Sequence, residues 1–173
     1  MSHVIGIALS AACLLLAQGQ EKDNPEYGYW AGCKPGSWVK NRIEMENQGK
    51  KIEYESVTRL IEVTPDKVVL EILMKMNTGD RTIDSPPKRH EIKSKSVPQG
   101  KTVVERDEEI SVSGKTIPCR YHEIETEAAE KKPKLTIKAW MSKEIPGGAA
   151  KSEVLSEQMK GPIRTIALEW DKK

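Results

Sequence analysis

Apolar residues at every second position, in runs cut off by turn residues, constrain this chain more than any other feature. Val68, Leu70, Ile72, Met74 and Met76 share one parity in VVLEILMKM, and Val69 and Leu73 add apolar content to the other. Side chains of a β-strand alternate between faces, so this period predicts a strand. Apolar content on both faces places it centrally in a sheet. Val39, Ile43 and Met45 repeat the pattern in WVKNRIEME, and Ile52–Val63 reads as the strand between the two. Turns follow at Asn47–Lys50, Thr64–Lys67 and Asn77–Asp80.

Beyond them, residues 81–101 carry Pro86, Pro87, Pro98 and Gly100 and suit an edge strand or a long loop. Thr102–Arg106 and Glu109–Val112 read as two short strands. Thr116–Glu125 follows a tight turn at Ser113-Gly114-Lys115, and Leu135–Met141 follows a charged hairpin tip. Ile145-Pro146-Gly147-Gly148 is a firm turn. Ala149–Met159 fits either a helix or, given its neighbours, an extended segment, and Ile163–Trp170 forms a last strand. Short strands with tight turns predict a mainly β domain, an antiparallel meander that curls around a core or pairs with a second sheet. The one helix expected is short: Pro25–Ala31, with Asn24 as its cap and Pro25 in the first turn.

The chain divides into three parts. Residues 1–19 read as a secretion signal: Val4–Ala17 is apolar or small apart from Ser10, too short to span a bilayer and of the length of a signal's apolar region. Cleavage fits after Ala17 or after Gly19, the latter having small residues at both required positions. Cys13 is an unsuitable acylation site, because Ser10 precedes it and Leu14-Leu15-Leu16 follow. Residues 20–37 form a lead-in rich in Gly, Pro and aromatic residues, and 38–173 form the β domain. These features predict an exported, periplasmic or extracellular protein without a transmembrane segment in its mature part.

Removal of the signal leaves Cys33 and Cys119. In an oxidising compartment they can pair, and so long a loop would gain ~4–5 kcal/mol in the chain-entropy model. The alternative is two separate buried thiols. The charged residues, 28 basic and 26 acidic for a net +2, begin at Glu21 and interleave both signs. This is a solvated surface and not a nucleic-acid footprint.

Catalytic chemistry finds little support. Cys119 and His122 have a ligand-like spacing, but residues three apart on a strand face opposite ways, and no second cysteine pair completes a zinc set. No serine sits in a G-x-S-x-G elbow, and no glycine-rich phosphate loop precedes a helix. Acidic groups such as Asp107-Glu108-Glu109 and Glu123/Glu125/Glu127 read as solvated faces. The expectation is a non-enzyme without metal or cofactor.

The distinctive feature is apolar. Phenylalanine is absent, and the methionines outside the initiator are Met45, Met74, Met76, Met141 and Met159. Methionine is flexible and suits surfaces that accept varied apolar partners. A curved sheet lined by Met45, Leu70, Ile72, Met74, Met76, Ile137 and Met141 would hold a lipid-like chain; alternatively these residues are the core.

The order of parts, with the Ser113-Gly114-Lys115 hairpin and the run Trp140-Met141-Ser142-Lys143-Glu144-Ile145-Pro146-Gly147, resembles periplasmic lipoprotein carriers of the LolA/LolB type. Cys33–Val39 (CKPGSWV) looks more like secreted bacterial proteins of similar size that lack an assigned role. The resemblance implies an open half-barrel and an apolar ligand. It departs in two ways: no long helix can be placed to plug the concave face, and no arginine matches a carrier's functional position. The reading is therefore an exported, noncatalytic β-domain that binds a lipid or lipidated protein. The alternative is an interaction module docking an envelope protein through the aromatic lead-in, Tyr27 to Trp38.

Overall fold

The computed structural model describes residues 21–47, 50–77, 82–98, 100–126, 133–159 and 161–173. The segment read as a secretion signal lies outside the described residues, as do parts of the turns near 48, 79 and 130. The elements are β1 (Lys22–Asp23), α1 (Pro25–Ala31), β2 (Trp38–Asn47), β3 (Lys50–Val63), β4 (Lys67–Asn77), β5 (Thr82–Asp84), β6 (Lys88–Lys93), β7 (Lys95–Ser96), β8 (Lys101–Val112), β9 (Lys115–Glu125), β10 (Leu135–Met141), β11 (Ala149–Ser156) and β12 (Ile163–Asp171).

Ten strands form one antiparallel sheet in the order β5-β4-β3-β2-β12-β11-β10-β9-β8, with β6 also on β4; β1 and β7 form a separate pair. It is not one simple meander. The first long strand pairs with the last, Ile43 opposite Thr165 and Val39 opposite Trp170. Two meanders run outward from this seam. Register shifts at Leu60/Glu62, Ala167/Glu169, Thr102/Val104 and Trp140/Met141 bend the strands, as bulges do. The sheet curls without closing among the described residues. The tip of the β8–β9 hairpin swings back beside β12, where the Ser113 hydroxyl donates to the Ala167 carbonyl at 3.3 Å and Lys115 Nζ lies 4.9 Å from the Trp170 ring centre. The result is the expected mainly β, open half-barrel.

Local readings were refined in three places. Residues 101–112 form one twelve-residue strand and not two short ones, because β9 pairs along nearly its whole length and a bulge absorbs the irregularity at Thr102/Val104. Residues 82–96 form short edge pieces, since Pro86 and Pro87 interrupt the edge between β5 and β6. Ala149–Ser156 is extended, held between β10 and β12.

Helix α1 begins as its sequence predicts. Asn24 Oδ1 accepts from the Glu26 amide at 3.1 Å, and its Nδ2 donates to the Lys93 carbonyl at 2.9 Å. Seven residues are too few for a helix to stand alone, so tertiary contacts hold it. The Tyr27 hydroxyl donates to the Thr64 carbonyl at 2.8 Å, and Trp30 is only 3% exposed. Tyr29 and Trp30 clasp the turn after β10. Gly147 and Gly148 have φ of +76° and +81°, a region that disfavours other residues. A Cβ on Gly147 would lie 2.7 Å from the Trp30 indole, and one on Gly148 would lie 2.5 Å from Tyr29 Cγ. The two glycines supply both the turn conformation and the room for the rings.

The core has two parts. One gathers Trp30, Val39, Leu60, Val68, Leu70, Ile117 and Ile145. The other, further along β2, β3 and β4 on the same face, gathers Ile43, Tyr54, Ile137, Val154 and Ile163. A fully buried side chain such as Leu60 contributes roughly 1.5–3 kcal/mol through removal from water.

Candidate ligand-binding face

The inward parity of β2, β3 and β4 carries most of the predicted ligand-contacting residues, in rows set by strand register. Met76 lies opposite Tyr54 and Tyr54 opposite Ile43; Met45 lies opposite Ile52. Met74 is opposite Ser56, which is opposite Asn41; Ile72 is opposite Thr58, which is opposite Val39. Across the seam, Thr165 is opposite Ser152 and Val154 opposite Ile163 and Ile137.

Met45, Met74 and Met76 are partly buried, and together with Ile52, Ile124 and Met159 they surround the second core cluster, which contains Ile137. This is an apolar surface left half-covered. Ile72 lies between the two clusters and lines a cavity of about 80 Å3 beneath α1, together with Glu26, Trp30, Asn41, Thr58 and His90.

Two predicted residues belong elsewhere. Leu70 is spent in the core, 3% exposed, because α1 and β6 cover that end of β4. Met141 is separated from Ile137 by four residues, roughly 13 Å along a strand. It lines a different cleft, of about 570 Å3, with Tyr29, Cys119, Arg120 and Lys143. Ile52, Ile124 and Met159, which are not among the predicted residues, pack around the same cluster. Ile52 shares the parity of Tyr54, so alternation within β3 could have found it; Met159 lies beyond the last residue of β11, where periodicity carries no signal.

Cys33 and Cys119 are two free, buried thiols, and the disulfide expected between them is not formed. Both belong to the core cluster around Trp30, and both lie near Tyr29. Cys33 Sγ donates to the Tyr29 carbonyl at 3.4 Å at the end of α1, while Cys119 sits on β9 opposite Glu108. Burial pushes the Cys33 thiol up. Burial, then the Glu108 and Glu144 carboxylates, pushes Cys119 up to about 11. Both stay protonated at neutral pH and are poor nucleophiles.

His122 turns away from Cys119, and its Nδ1 lies 3.4 Å from Glu105. Arg120 holds Glu105 and Asp107 at 3.0 and 2.9 Å, so part of the acidic run is ion-paired. No group of three or more His, Cys, Asp or Glu side chains among the described residues is arranged to hold a metal ion. A cross-strand row runs Arg106–Tyr121–Trp140–Lys151, on the β9 parity that also carries the core residues Ile117 and Cys119, and Tyr121 is itself buried. Arg106 lies 4.0 Å from the Tyr121 ring centre, the two rings are 5.0 Å apart, and Lys151 Nζ is 4.4 Å from the Trp140 ring. Trp140 Nε1 donates to Glu108. Burial, then a hydrogen bond to Glu123, pushes the Tyr121 hydroxyl up to about 12. These contacts knit four strands together, β8 to β11, and require no ligand.

No helix among the described residues is long and apolar enough to cross a membrane. No protein-family model matches the chain, and no curated protein matches it. Among solved structures, the chain is similar to a Bacteroides fragilis protein described as a candidate exported protein with a YmcC-like fold. The two share 12% identity at a TM-score of 0.45, over 81% of this chain and 97% of that one.

Proposed function

We propose that this protein is an exported, noncatalytic domain that holds an apolar, lipid-like ligand or the acyl chain of a lipidated partner against its inward sheet face. One observation carries the reading. Met45, Met74, Met76 and Met159, with Ile52 and Ile124, remain partly exposed around a small buried cluster, whereas α1 packs the other end of the face. Flexible thioether side chains adapt to a chain of variable shape. The apolar N-terminal segment is the basis for export. The aromatic lead-in that would serve an envelope-docking module is instead used internally: Trp30 is buried, and Tyr29 and Trp30 pack on the Gly147-Gly148 turn.

Titration of the purified protein with diphenylhexatriene, a hydrocarbon probe that fluoresces out of water, tests this. Saturable binding that Met76→Glu abolishes is expected, along with lipid in an organic extract of protein purified from cells. A probe signal that does not saturate, or that Met76→Glu leaves intact, would refute the assignment.

A further inference from the structure

Two clefts meet at Tyr29 and Lys143, and neither contains a residue of the half-covered methionine end. One, of about 570 Å3, has Pro118, Cys119 and Met141 in its lining, with Asp107, Glu108, Glu109 and Glu144 beside them. The other, of about 350 Å3, lies against α1 and adds Pro25, Gly28, Gly32 and Lys172 to the shared pair. Joined, they form one elongated groove, acidic at the β8 end and basic at the helix end. Part of this charge is already engaged: Asp107 pairs with Arg120 and Glu108 with Arg106, each at 2.9 Å. Glu109, Glu144, Lys143 and Lys172 belong to no ion pair among the described residues.

Gly28 adds an independent observation. It stands inside the seven-residue α1, where glycine loses backbone entropy and weakens a short helix. Its φ is not among the positive ones that favour glycine, and a Cβ there would meet nothing within 4 Å. Neither conformation nor internal packing calls for it, in contrast to Gly147 and Gly148. A helix glycine of this kind fits a surface that another chain approaches closely. At the far end, the acidic residues 107–109 lie on β8, the last strand of the sheet, whose outer edge has no strand partner among the described residues. Such an edge can pair with an extended chain.

We infer that this groove docks a short extended segment of a partner protein. A lysine or arginine of the segment faces Glu109 and Glu144, apolar side chains cover Met141 and Pro118, and an acidic residue or terminal carboxylate meets Lys143 and Lys172 beside Gly28. Opposite charges at the two ends select the segment, because a uniformly basic or uniformly acidic one is repelled at one end. The inference does not depend on the apolar-binding role of the inward face.

Selection of a phage-displayed library of random peptides on the purified protein tests this. Enriched peptides are expected to carry a basic and an acidic residue on either side of an apolar stretch. A fluorescent synthetic copy of one should lose about tenfold in affinity with Gly28→Gln and with Lys143→Glu. Replacing the peptide's acidic residue with lysine should restore its affinity for Lys143→Glu. Gly28→Gln should hold or raise the urea midpoint, since glutamine is the better helix former, so that lost binding is not lost folding. Diphenylhexatriene binding should be the same in both variants and the parent, which separates this groove from the inward face. Absence of the charge pattern among enriched peptides, equal binding to the parent and both variants, or a lowered midpoint for Gly28→Gln overturns the inference.

Discussion

Replacing Gly148 with alanine adds one methyl group at the contact that holds α1 to the sheet. The backbone there has φ +81°, and a side chain in the left-handed region costs roughly 1–2 kcal/mol. The new Cβ would also lie 2.5, 2.6 and 2.8 Å from three carbons of the Tyr29 ring. Carbon atoms sit comfortably at about 3.5–4.0 Å, so the ring must retreat by roughly an ångström. Overpacking of this kind costs about 1–3 kcal/mol. The sum is about 2–5 kcal/mol. Gly114 is the internal control: its φ is +76°, yet a Cβ there meets nothing within 4 Å, so Gly114→Ala should cost only the backbone share, about 1–2 kcal/mol. Urea unfolding followed by tryptophan fluorescence measures both through the midpoint, provided the slope is unchanged. Adding Tyr29→Ala should reduce the cost of Gly148→Ala to that of Gly114→Ala, a coupling of about 1–3 kcal/mol. Equal costs for the two glycines, or no relief from Tyr29→Ala, would show that the clasp is not what α1 depends on.

Other outcomes follow from the same contacts. Asn24→Ala removes the cap and the bond to Lys93, and should cost about 1–2 kcal/mol, with faster amide exchange in α1 before any other element. Cys33 and Cys119 should react with a thiol reagent at pH 8 only after denaturation. The unfolded Cys119 thiol ionises near 9.0 while the native one holds its proton to about 11; the unfolded state therefore binds fewer protons across that window, and stability falls as pH rises through it. A pH series of thermal midpoints should show a shallower decline for Cys119→Ala than for the parent. A double-mutant cycle of Tyr121→Leu and Trp140→Leu should return about 0.5–1.5 kcal/mol of coupling; additive costs would mean that the rings touch without interacting.

Much of the architecture was legible because it depends on short-range patterns. Alternation in residues 68–76 located β4, and Asn24-Pro25 located the start of α1. Pairing was not legible: nothing in β2 or β12 announces that they meet, since strand partners are selected by the packing of whole faces and not by a local code. The division of the inward face was hidden for the same reason. Leu70 and Met76 share a parity and a chemistry, and only the docking of α1 makes one core and leaves the other half-covered. The cysteines repeat the lesson: two cysteines left after a signal-like segment suggest a bond, while here both are free thiols buried in one core cluster.

The sequence by itself determined the long strands β2 to β4, the tight turns and the capped helix, because backbone geometry reads residue type within a few positions. The tertiary structure alone decided which partners the buried polar groups find. Ser37 and Ser142 are alike as residues and both buried, yet one accepts a hydrogen bond from the Lys173 amide at the far end of the chain and the other from the Glu144 amide two residues on. That difference is set by distant segments converging, and hydrogen bonding depends on where they come to rest.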